Sequence, residues 1–191
     1  MKQTLAIAAL IAWVAACAAC ATTTSPSPTP PSSTTVTFGG LTANNATMTT
    51  YVESGVTVSA LAGGWTALTT YGNPAPFIEL SAAASSAVTG EILVTAGGEG
   101  VAAGAPTFSF SSVDLYSSVT PIPYTIVGLR HSTTMFTLAA TLPNTLGRFV
   151  TVANPQATAV IDTLLINLSN FQASCPTCIN PVGLDNIVVV K

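Results

Sequence analysis

The chain has 191 residues, of which 6% are charged and 49% hydrophobic, and its formal net charge is −3. Ordinary soluble domains are about 25% charged, so the Lys- and Glu-rich surfaces of ordinary helices are excluded here, and four Lys and Arg in all exclude a nucleic-acid partner, whose phosphates need clustered cations. Ser, Thr, Ala and Gly carry the polarity instead, and with abundant Val and Thr they favour half-buried strands.

The N-terminus reads as an address. Lys2 supplies a positive start, and residues 5–16 form an apolar run of 12 residues. That is shorter than the roughly 20 residues of a membrane span and has the length of a signal-peptide core. Val14-Ala15-Ala16-Cys17 resembles the lipobox of bacterial lipoproteins: a branched apolar residue, two small ones, then a cysteine. The resemblance implies a signal peptide over 1–16 and a lipid on Cys17; the alternative is ordinary secretion. Residue 18 is Ala rather than Asp, the commonest signal for inner-membrane retention, so an outer-membrane or cell-surface lipoprotein is expected. Residues 17–35 read as a tether, because Pro26, Pro28, Pro30 and Pro31 among Ser and Thr hold the chain extended and pack no core.

The periodic region, 36–191, reads as one domain. Short apolar runs predict strands over 36–38, 47–53, 56–60, 65–68, 77–80, 91–96, 107–116, 124–131, 134–142, 148–152, 160–169 and 184–190. Turn chemistry separates them, including Gly39-Gly40, Gly63-Gly64, Gly72-Asn73-Pro74, Gly97-Gly98 and Pro143-Asn144. A dozen short strands at this spacing point to an all-β, antiparallel β-sandwich or barrel. Only 81–87, SAAASSA, has room for a helical turn. In TFSFSSVDLYSS (107–118), Phe108 and Phe110 share a face, but Val113 and Leu115 fall in the other phase, which predicts a bulge or bend at Ser111-Ser112.

Few residues carry chemistry. Cys175 and Cys178, in a CxxC loop of an exported chain, are expected to form a short-range disulfide; a redox role needs a helix start that is missing here, and zinc needs two further ligands. Trp65 and Tyr71 flank Thr66–Thr70 ahead of Gly72-Asn73-Pro74. Their faces either stack on sugar rings, with the Asn73 amide on a hydroxyl, or pack within the sheets. Asp114 and Asp162 either point outward on strands or brace turns. His131 stands without an evident Ser or Cys partner, no Gly-x-Ser-x-Gly elbow occurs, and no pair of acids sits in a glycosidase motif, so no enzyme is expected.

TFSFSSVDLYSS, followed by IPYTIVGLR, LPNTLGRFVTV, IDTLLINLSN and NPVGLDNIVV, resembles the small jelly-roll domains of secreted bacterial proteins, often those bearing PEP-CTERM sorting tails. YVESGVTVSA and GGWTALTTYGNPAPFIEL upstream fit the same layout. These domains belong with the galactose-binding-like β-sandwiches that include many carbohydrate-binding modules. The chain ends at Lys191 without a sorting tail, and the lipobox would replace that tail as the attachment. The resemblance implies a jelly-roll, galactose-binding-like sandwich over 36–191. It also implies a structural calcium near the terminal strands, for which Asp185, Asn186 and Glu53 are the candidate ligands; the alternative for Asp185 is a carboxylate that bonds neighbouring backbone. The function expected is a membrane-tethered, non-catalytic module that binds a polysaccharide. The alternative is a structural or adhesive envelope protein that contacts another protein.

Overall fold

The computed structural model describes residues 31–70, 75–82, 88–97, 106–170 and 180–191. Those residues form thirteen strands and no helix: β1 (Ser33–Val36), β2 (Thr50–Glu53), β3 (Val56–Ala62), β4 (Trp65–Leu68), β5 (Phe77–Ala82), β6 (Val88–Ala96), β7 (Phe108–Ser117), β8 (Ile122–Arg130), β9 (Thr133–Leu142), β10 (Val150–Ala153), β11 (Val160–Ile161), β12 (Thr163–Asn170) and β13 (Asn180–Val190). They make two antiparallel sheets. The first has the order β10-β7-β13-β5-β4, with β1 beside β13 and β11 beside β7; the second has the order β2-β3-β6-β12-β8-β9. The chain passes repeatedly from one sheet to the other, as expected of a jelly-roll sandwich. Residues 33–35, assigned above to the tether, are instead strand: they pair with Val188–Val190, and Ser32 and Lys191 exchange backbone hydrogen bonds of 3.0 Å. Both sheets and the core lie wholly within the compact unit Pro31–Lys191.

The core is what alternation in the strands puts between the sheets. Phe110, Val113, Leu115, Ile78, Leu80, Val182, Leu184 and Ile187 meet Val58, Ile92, Val94, Ile126, Leu164 and Ile166, all fully buried. The phase change in β7 is real. Val188 pairs with Ser112 and Val189 with Phe110, which leaves Ser111 as an extra residue on β7 and lets both Phe110 and Val113 face inward. A second irregularity lies on β13 between Asp185 and Val188, where Asn186 has φ 48°. Asn tolerates this left-handed conformation better than most residues.

The outer face of the first sheet carries a small aromatic layer of its own. Tyr116 of β7, Gly183 of β13, Glu79 of β5 and Thr66 of β4 form one cross-strand row. The Tyr116 ring lies over Gly183, where a Cβ would come within 1.9 Å of it. Only glycine leaves that space. The Tyr116 hydroxyl then donates to Glu79 Oε2 at 2.7 Å, and Phe77 and Phe149 pack edge-on around the ring at 5.5 and 5.0 Å. Burial, then the bond to Glu79, raises the Tyr116 phenol far above its ordinary value.

The run 160–169 is two strands rather than one. β11 pairs with β7 in the first sheet and β12 with β6 and β8 in the second, so the chain changes sheet at Asp162. Asp162 is 1% exposed, and its Oδ2 accepts the His131 N–H at 2.7 Å while Oδ1 accepts the Thr163 hydroxyl at 3.0 Å. His131 and Ser132 form the β8–β9 turn with φ of 47° and 64°. Two non-glycine residues in that region are costly, and the Asp162 carboxylate holds the first of them. Asp162 therefore braces a turn, one of the two roles expected for it.

Candidate functional site

Where β2 and β4, the edge strands of the two sheets, come alongside each other, the connection between β1 and β2 closes the sandwich. Its residues lean first on β4. Asn45 N–H donates to Ala67 O at 2.7 Å, Ala67 N–H to Ala46 O at 2.8 Å and Met48 N–H to Trp65 O at 2.9 Å, with Thr47 bridged to Thr66. Asn44 Oδ1 accepts the Thr69 N–H at 2.9 Å. One step later Ala60 N–H of β3 donates to Thr49 O at 2.8 Å, so the segment has crossed to the second sheet. Met48 is the side chain that this crossing buries.

A groove of about 240 Å³ lies along this crossing, lined by Gly40, Leu41, Thr42, Ala43, Ala46, Thr47, Met48, Thr49, Thr50 and Ala67. Drug-sized sites run from roughly 300 to 1,000 Å³, so this one suits a small ligand or the end of a longer one. The lining holds four threonine hydroxyls, backbone polar groups and small apolar faces, and no charged side chain. It offers no counter-ion to a phosphate or carboxylate and no oxygen cage to a cation.

One wall is set by Glu53. Its Oε2 accepts the N–H groups of Thr37 and Phe38 at 2.9 and 3.0 Å and the Tyr51 hydroxyl at 3.2 Å, and its Oε1 accepts the Thr37 hydroxyl at 2.9 Å. The Tyr51 oxygen in turn accepts the N–H of Gly40, a groove residue, at 2.9 Å. The Tyr51 ring packs on Phe38 at 5.3 Å. Burial is the main reason the Tyr51 phenol is raised, with the Glu53 charge adding to it and the Gly40 N–H opposing. Phe38 is fully buried at φ 56°, a conformation that a bulky residue holds only under constraint, and the two Glu53 bonds supply it.

The expected site residues fall apart. Trp65 is fully buried and its indole N–H donates to Ala62 O at 3.0 Å. Its ring packs toward Gly90 of the facing sheet, where a Cβ would come within 2.8 Å. Of the two roles open to it, sheet packing is the one the structure assigns; a sugar ring cannot reach its face. Tyr71, Asn73, Cys175, Cys178 and Cys17 lie outside the described residues.

Asp185, Asn186 and Glu53, the candidate calcium ligands, each hydrogen-bond protein groups. Both Glu53 oxygens hold protein donors, as above. The Asn186 side-chain amide donates to Asp114 Oδ2 at 2.9 Å, and Asp114 Oδ1 accepts the Thr151 hydroxyl at 2.6 Å. Asp185 Oδ1 accepts the Asn186 N–H at 2.8 Å. Among the described residues no group of three or more His, Cys, Asp or Glu is placed to hold a metal ion. Asp185 and Asn186 belong to a hydrogen-bonded corner between β7, β10 and β13, and Glu53 is on β2.

Asp185 is 1% exposed and sits opposite Asp114 on β7. Burial first, then repulsion from Asp114 and Glu53, pushes its pKa from the ordinary 3.8 up to about 7, against the Asn186 N–H. The folded state therefore holds this proton where the unfolded chain has lost it, so the contribution of Asp185 to stability falls as pH rises from about 4 to about 7 and is level above that. Asp185→Asn keeps an acceptor for Asn186 and removes the charge. Its melting temperature minus that of the wild type is expected to rise by a few degrees between pH 5 and pH 7.5, followed by circular dichroism in matched buffers. A difference that stays flat with pH would mean Asp185 is not held protonated.

Sequence reasoning came near the groove without reaching it. It pointed to the loops from Trp65 to Asn73, and Ala67 does line the groove. The other lining residues come from 40–50, small residues in an irregular crossing that show no period. The available signal was the cluster Thr42, Thr47, Thr49 and Thr50 around Asn44-Asn45.

No family model and no curated protein matches the chain. Among solved structures it is similar to a family 29 carbohydrate binding module from Piromyces equi, at TM-score 0.48 and 10% identity over 85% of this chain and 91% of that one. A DUF4465 family protein from Bacteroides caccae gives TM-score 0.48 and 9% identity over 84% and 99%. A variant of a second family 29 module, complexed with mannohexaose, gives 0.43 and 11% over 85% and 93%. At these scores and identities the likenesses say nothing about a ligand of this chain.

Proposed function

We propose that the domain is a non-catalytic binding module for a neutral glycan, and that the groove between β4 and the 40–50 crossing takes a chain end or a short stretch of it. One observation carries the reading: a solvent-open groove walled by hydroxyls, backbone polar groups and small apolar faces, with no charged group among its lining residues. A sugar presents the matching surface, hydroxyl rims around an apolar ring face. The lining supplies no acid, no general base and no nucleophile beyond threonine hydroxyls, so binding is the chemistry it can perform.

The test is isothermal titration of the unit Pro31–Lys191 with neutral oligosaccharides, and with uronate and sulfated ones for comparison. Neutral ligands are expected to bind and charged ones not. Ala46 is exposed in the groove, so Ala46→Trp fills it without touching the core. That variant is expected to lose at least about tenfold in affinity, some 1.4 kcal/mol, with an unchanged melting temperature. Binding only to anionic glycans, or binding that ignores Ala46→Trp, would rule the groove out.

A further inference from the structure

Among the described residues the two sheets have four edges, and one is unlike the others. β2, β4 and β10 are four residues long and β11 is two. β9 is ten residues, TTMFTLAATL, without a charge, a proline or a glycine. Among the described residues it pairs only with β8. Thr133–Met135, Thr137 and Ala139–Thr141 are exposed. An antiparallel strand turns alternate N–H and C=O groups away from its neighbour, so β9 presents a long row of open ladder positions. Natural sheets guard such edges with lysine, proline, short strands or bulges. Here the one guard is a bulge near Met135, where the register to β8 shifts between Gly128 and Leu129.

We propose that β9 is the contact of a homodimer, in which it pairs antiparallel with β9 of a second copy about a two-fold axis and joins the two six-stranded sheets. Charge selects this arrangement. Cationic Arg130 precedes β9, whereas uncharged Pro143, Asn144 and Thr145 follow it. Antiparallel pairing sets each cationic end against a neutral one; parallel pairing would superimpose the cations. The faces agree as well. Phe136, Leu138 and Leu142 point to the core side, and any register whose paired residue numbers sum to an even value keeps them there in both copies. With Leu138 on the axis, Thr137 of one copy meets Ala139 of the other and Phe136 meets Ala140, so large meets small and no charge is buried. The contact is self-complementary, as a two-fold interface must be. The chain's own segment 26–31 is a poor occupant, because Pro26, Pro28, Pro30 and Pro31 have no N–H to give a ladder.

The test is sedimentation velocity of Pro31–Lys191 from low micromolar to several hundred micromolar. The wild type is expected to shift from monomer to dimer with concentration. Thr137→Lys with Ala139→Lys, both at exposed positions, places four ammonium groups at the junction and is expected to weaken the dimer at least tenfold. Thr89→Lys, an exposed site on β6, is the charge control and is expected to leave the dimer unchanged. If the double variant fails to fold, Ala139→Lys alone is read instead. A wild type that stays monomeric throughout, or lysine variants that dimerise as the wild type does, would overturn the proposal.

Discussion

Trp65→Ala is expected to lower the stability of the domain by about 3–5 kcal/mol, the range for deleting a large buried aromatic. The indole is fully buried, its N–H is bonded to Ala62 O, and Leu80 and the gap above Gly90 enclose it. Removal leaves a cavity between the sheets and takes the indole N–H from the Ala62 carbonyl, where the chain passes from β3 to β4. Chemical denaturation of the unit Pro31–Lys191 measures it, with a fall of roughly 6–20 °C in melting temperature as the parallel readout. A tryptophan that served as a sugar platform would behave in the opposite way: binding would vanish while stability held. An unchanged melting temperature would therefore restore Trp65 to the binding surface.

Glu53→Ala is expected to cost about 2–4 kcal/mol. The carboxylate accepts two backbone amides and two hydroxyls, and charge-assisted bonds contribute about 1.5–3 kcal/mol each before solvent recovers part of the loss. Without them Phe38 at φ 56° is held by its packing and by the bond from Leu41 N–H to its carbonyl, and Gly40 loses the Tyr51 partner that Glu53 positions. The variant should therefore weaken glycan binding as well as stability. Running the denaturation in excess calcium and in chelator separates two roles for this side chain. A hydrogen-bonding role gives the same loss in both media, and a metal-ligand role gives a loss only where calcium is present. A cost below about 0.5 kcal/mol would mean that the 37–40 segment is held by other contacts.

Both side chains show how far a residue's role depends on partners distant in the sequence. Trp65 lies beside a loop and has the chemistry of a sugar platform, yet strand alternation alone cannot say whether a residue at a sheet's edge faces the partner sheet or solvent. The small residue that makes room for it, Gly90, lies on another strand and in the other sheet. Glu53 lies near enough to Asp185 for the two charges to repel, yet its oxygens accept from Thr37, Phe38 and Tyr51. The backbone turn at Phe38, which claims the carboxylate, leaves no signature in the sequence beyond Gly39-Gly40.

The sequence by itself determined the fold class and most strands. Short Val- and Thr-rich runs with turn residues between them can bury an apolar face only by stacking sheets, and β4 lies where its WTAL run placed it. The phase slip at Ser111-Ser112 also announced the bulge in β7. Only the tertiary structure decided the break of 160–169 at Asp162, because one acid within a strand-forming run does not mark which sheet each half joins. Tertiary structure alone decided the groove too, since its lining gathers residues 40–50 and Ala67 through backbone hydrogen bonds that any side chain can make. Periodicity reports which face of a strand is buried. Where two edges meet is set by how the sheets twist and cross, and that is a property of the whole sandwich.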